Sequence, residues 1–131
     1  MKGEREEALL EIARNEEKNY NLEKAAKLYE QAAESFLNEN LLVEAAKAFS
    51  QLGGVYSKAL ETAISSETFF STCKNGIKAF EMAKKLYKRI GSKPNILECE
   101  ANTFYINGLI SGSIAEAKEN FNKSYEIFLE S

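Results

Sequence analysis

The 131-residue chain contains no histidine, no aspartate and no tryptophan, and the first two absences narrow its chemistry more than any motif does. Without them there is no Ser-His-Asp triad, no EF-hand loop and no Walker-B aspartate, and most general-base arrangements lose their usual members. The two cysteines, Cys73 and Cys99, form no Cys-x-x-Cys pair, so structural zinc and thioredoxin-like redox sites lack a ligand set. Both thiols read as small core residues kept reduced. No catalytic residue, metal ligand or cofactor-binding residue is therefore expected, and the chain reads as a non-enzyme. No apolar run approaches the roughly 20 residues of a membrane helix, and no apolar stretch or cleavage site follows Met1-Lys2-Gly3-Glu4-Arg5, which suits a cytoplasmic address. A single proline and seven glycines leave little room for a disordered or sandwich-like protein.

All 20 acidic residues are glutamate. Aspartate competes for its own backbone and favours caps and turns, whereas glutamate forms helix well, so this bias agrees with a nearly all-helical chain. Hydrophobic residues make up 44% and charged ones 28%, and the length suits one domain spanning residues 1 to 131. One spacing occurs three times: a small residue, an aromatic four later, a small residue three after that. The copies are Ala25/Tyr29/Ala32, Gly76/Phe80/Ala83 and Ala117/Phe121/Ser124. Residues three and four apart share a helix face, so each copy makes a seam with shallow positions beside a bulky one, as a closely packed antiparallel helix pair requires.

Periodicity and stop signals predict six helices. The first covers about 3 to 18, ending in Asn19-Tyr20-Asn21, and the second about 22 to 38. Asn40 is the expected cap of the third, whose stripe runs from Leu41 through Ala63 and breaks at Ser65-Ser66. The fourth covers about 67 to 90 and stops at Gly91. Pro94 fits the first turn of the fifth, which ends near Ile110. Ser113-Ile114-Ala115-Glu116 is a capping box opening the sixth. Glycine inside a helix costs about 1 kcal/mol against alanine. Gly53 is expected to repay this through close helix packing, while Gly54, one position round, is expected to face a groove.

The stretch Phe49-x-x-Leu52-Gly53-x-x-Tyr56 resembles the first-helix signature of tetratricopeptide repeats, with Phe49 where tryptophan is preferred, and the three seams resemble the second-helix signature. That resemblance implies a right-handed stack of three antiparallel helical hairpins, all-α. The opening half, from Glu4-Arg5-Glu6-Glu7-Ala8-Leu9-Leu10 through Ala25-Ala26-Lys27-Leu28-Tyr29 to Glu44-Ala45-Ala46-Lys47-Ala48-Phe49, resembles the amino-terminal hairpins of the soluble NSF-attachment proteins, a family of rigid adaptors. By this resemblance the concave face is lined by the first helix of each hairpin: Leu10 and Arg14, then Lys47, Ser50, Gln51 and Lys58, then Asn102, Thr103 and Ile106. Such a surface suits a peptide or partner helix. The lysine and asparagine clamp by which some relatives hold a terminal carboxylate is not matched, since Leu10, Arg14, Gln51, Cys99 and Thr103 stand at those places.

Charge is unevenly spread. Residues 1 to 45 hold 11 glutamates against 6 basic residues, giving −5; residues 74 to 93 give +6; residues 94 to 131 give −4. The fourth helix is thus a basic strip, Lys74, Lys78, Lys85, Lys88 and Arg89, on an acidic protein. A charged helix face is ordinarily a solvating one. Its functional alternative is an adaptor for an acidic protein or an anionic membrane surface. Nucleic acid is disfavoured because the surrounding field is negative. Three functions stand: an interaction scaffold using the concave face, an adaptor using the strip, and, ranked last, an enzyme with a carboxylate or cysteine site. The partner is a protein or peptide of unstated identity, and self-association is left open.

Overall fold

The computed structural model describes residues 2–111 and 114–130, with backbone alone for 114–118, 120 and 121. Six α-helices account for most of it: α1 (Glu4–Lys18), α2 (Leu22–Asn38), α3 (Leu42–Ala59), α4 (Ser66–Ile90), α5 (Lys93–Ile110) and α6 (Ile114–Glu130). No strand occurs among the described residues. Short turns fold consecutive helices back on one another as hairpin-like pairs. Among the described residues each helix packs mainly on the one before and the one after it.

The turns share one chemistry. After α1, α2 and α4 the chain enters the left-handed region at Tyr20 (φ 60°), Asn40 (φ 61°) and Gly91 (φ 84°). In each case the next amide reaches back to a carbonyl five residues earlier: Asn21 to Glu16 at 2.8 Å, Leu41 to Phe36 at 2.9 Å, Ser92 to Tyr87 at 3.0 Å. This is the Schellman closure of a helix C-terminus. Asn40 therefore ends α2; it does not cap α3, whose N-cap is Leu41 without a side-chain bond. Asparagine serves both roles, because its short amide can bond locally in either backbone state. The third helix is also shorter than its stripe: α geometry stops at Ala59, a 3-10 turn covers Leu60–Thr62, and Ala63 is extended. Ser65 then caps α4, its hydroxyl accepting the Thr68 amide at 3.1 Å. Pro94 stands in the first turn of α5, as expected. The capping-box residue Ser113 lies outside the described residues.

Two of the three seams are core. Ala25, Tyr29 and Ala32 are buried on α2, and Gly76, Phe80 and Ala83 on α4. The Phe80 ring lies so close to α3 that a Cβ on Gly53 would sit 2.7 Å from it, which identifies what repays the mid-helix glycine. Gly76 performs the same service for α5: a Cβ there would meet Ile106 Cδ1 at 3.2 Å. Of the third seam, Ser124 is buried and donates to the Ala101 carbonyl at 3.0 Å. The side chains of Ala117 and Phe121 lie outside the described set. On α5 the small residues Ala101 and Gly108 turn inward while Tyr105 is exposed.

Candidate functional site: a hollow beside the third helix

Helix α3 has neighbours on two sides, and the expected groove lies on the side shared with α1 and α5. Two of its nine residues are core. Leu10 continues the buried Glu6–Leu10–Ala13 ridge of α1, and Ile106 fills the space that Gly76 vacates; they are only 5% and 1% exposed. Neither presents a face to a partner. Others on this side are tied within the fold. Lys58 is ion-paired to Glu17 of α1 at 2.6 Å, and Glu17 also accepts the Tyr29 hydroxyl of α2 at 2.7 Å, so one carboxylate joins three helices. Ser50 lies 3.9 Å from Cys99 Sγ on α5. Asn102 and Thr103 donate to the carbonyls of Glu98 and Cys99 on their own helix, both at 3.0 Å. Arg14 and Lys47 remain exposed and Gln51 half-buried, beside Gly54, whose missing Cβ would meet nothing within 4 Å.

A hollow lies on the opposite side. It encloses about 810 Å³ between the starts of α2 and α4, with the end of α3 as its floor, and none of the nine expected groove residues lines it. The base is apolar: Leu22, Ala26, Val55, Tyr56, Ala59 and Ala63. The rim is polar: Glu23, Lys24, Lys27 and Glu30 on α2, Thr68, Thr72 and Asn75 on α4. Helix lengths open this space. The α-helical part of α3 ends at Ala59, whereas α2 and α4 run antiparallel to it and begin beyond the turn, leaving their first turns without a third helix between them.

The electrostatics of the hollow are mild. Lys24 is paired with Glu16 at 3.4 Å and Lys27 with Glu23 at 3.9 Å, so both rim lysines are balanced. Burial, and then the charge of Glu30, raises the Tyr56 phenol above its ordinary value, so it stays a neutral hydrogen-bonding group. Tyr20 stands on the rim, 56% exposed, on a left-handed backbone that costs a non-glycine residue about 1 kcal/mol or more. Tyr56 was visible in the sequence as part of the Phe49-to-Tyr56 signature. Thr68, Thr72 and Asn75 carried no local signal, because their role depends on three elements meeting.

The strip on α4 is as exposed as expected: Lys74, Lys78, Lys85, Lys88 and Arg89 all face solvent. The cysteines are buried and unpaired, and burial is the leading cause that raises both thiols, suppressing the thiolate that reactive chemistry needs. Among the described residues no group of three or more His, Cys, Asp or Glu side chains could hold a metal, and no helix is long and apolar enough to cross a membrane. No protein-family model matches the chain, and no curated protein or solved structure does either.

Proposed function

We propose that the chain is a non-catalytic interaction scaffold, a TPR-like right-handed stack of three hairpins, that receives an amphipathic helix of a protein partner in the hollow between α2 and α4. The observation that carries this reading is the hollow itself. Its volume of about 810 Å³, apolar base and balanced polar rim suit the apolar stripe of a helix flanked by uncharged polar groups. The docking place differs from the concave face that the resemblance implies, because core packing and internal bonds take up most of that face. A cytoplasmic setting goes with the proposal, since two unpaired buried thiols suit a reducing compartment.

The test uses peptides selected from an amphipathic-helix display library against the intact chain. Thr72→Arg, which places a long cation on the rim, is expected to lower peptide affinity at least tenfold. Gln51→Arg, on the other side of α3, is expected to leave it within about twofold. Loss of binding in the Gln51 variant with retention in the Thr72 variant would return the site to the concave face.

A further inference from the structure

We propose that the outer face of α4 docks flat on an anionic membrane surface, with Phe70 and Ile64 entering the headgroup layer at one end. At 100° per residue, Phe70, Lys74, Lys78, Lys85, Lys88 and Arg89 fall within a sector about 100° wide and roughly 28 Å long. The five cations are exposed, and none makes an ion pair among the described residues. Lys84, one step round, is instead ion-paired with Glu100 of α5 at 3.8 Å. Glu67 and Glu81 share the sector, leaving it net positive by three.

Shape and apolar exposure choose a membrane over an acidic protein segment. The two shallow hollows on this face are lined by α4 residues alone, so the face is a ridge with no second wall to grip a helix or peptide. A ridge of that kind meets a plane. Phe70 is 50% exposed on the same line as the lysines, and Ile64, in the loop just before α4, is 97% exposed. Basic clusters are drawn to anionic leaflets, and adjacent apolar side chains add burial that salt does not screen. The remainder of the chain is acidic, −5 over residues 1 to 45 and −4 over 94 to 131, which turns the α4 face toward a negative surface. The proposal is independent of the hollow between α2 and α4, since none of the exposed Lys, Arg, Phe and Ile side chains it uses lines that hollow.

Vesicle flotation tests it, with phosphatidylcholine vesicles compared with vesicles carrying about one-third phosphatidylserine. The intact chain is expected to float with the anionic vesicles only, more strongly at low salt. Lys78→Glu/Lys85→Glu is expected to reduce flotation about tenfold or more, while Ile64→Ser/Phe70→Ser leaves a weaker binding that added salt removes completely. All four side chains are exposed or lie outside the core, so unchanged thermal unfolding in each variant shows that folding is not the cause. No flotation with anionic vesicles at any salt overturns the proposal, as does equal flotation of the charge-reversed variant. Binding to soluble polyglutamate without vesicle binding overturns it in favour of an acidic protein partner.

Discussion

The two sides of α3 differ in what fills them. Toward α1 and α5 the contacts are polar and specific: Lys58 to Glu17, Ser50 beside Cys99. Toward α4 the contact is steric, the Phe80 ring resting on bare backbone at Gly53, and beyond it the same side opens into the hollow floored by Tyr56 and Ala59. The difference shows that internal bonds occupy part of the groove side, which stays open at Arg14, Lys47 and Gly54, while the hollow on the other side is made by where helices stop. Adjacent glycines mark the division. Gly53 is filled by its neighbour, and Gly54 faces nothing.

The largest expected effect is alkaline. Tyr29, Tyr56, Tyr87, Cys73 and Cys99 are all raised above their ordinary values, chiefly by burial. A folded-state value above the unfolded one means stability is complete below the unfolded value and is lost as pH climbs through the folded one. Urea unfolding is therefore expected to show a plateau up to about pH 8 and a progressive loss above about pH 9 to 10. Tyr29→Phe is expected to make that loss shallower, since burial and the bond to Glu17 raise Tyr29 most strongly. A flat profile to about pH 11 would contradict the burial of these groups.

Next in size is Gly53→Ala. Overpacking against the Phe80 ring is expected to cost about 1–3 kcal/mol, outweighing the helix-propensity gain of about 1 kcal/mol. Gly54→Ala receives the same propensity gain with nothing to strike, and is expected to stabilise by up to about 1 kcal/mol. Chemical denaturation of the two variants reads the sign directly, and equal effects would erase the distinction between the two sides. The smallest effect expected is a gain of about 0.5–1 kcal/mol in Tyr20→Gly, which relieves a left-handed backbone while removing an exposed ring from the rim of the hollow. A loss of stability there would mean that the ring packs in a way its exposure conceals.

The helices were legible in the sequence because their signals are local. Alternating small and aromatic residues located α2 and α4, Gly91 and Pro94 bounded the turn between α4 and α5, and the close approach at Gly53 followed from the cost of glycine in a helix. Asn40 misled because one residue type serves both helix ends. The groove was only partly legible for a different reason. Leu10 and Ile106 are large aliphatics near the edge of a helical stripe, and a few tens of degrees of rotation separate surface from core. In each case a neighbour decides: the buried face of α1 against α2, and the gap over Gly76. The hollow needed the lengths of three helices at once, which no stretch of residues carries.

Backbone amide mapping by NMR, with a selected amphipathic peptide titrated into the intact chain, tests the central claim most directly. Shifts concentrated at Ala26, Tyr56, Ala63, Thr72 and Asn75 are the result expected of docking between α2 and α4. Shifts concentrated at Arg14, Lys47, Gln51 and Gly54, with the hollow unmoved, would contradict it.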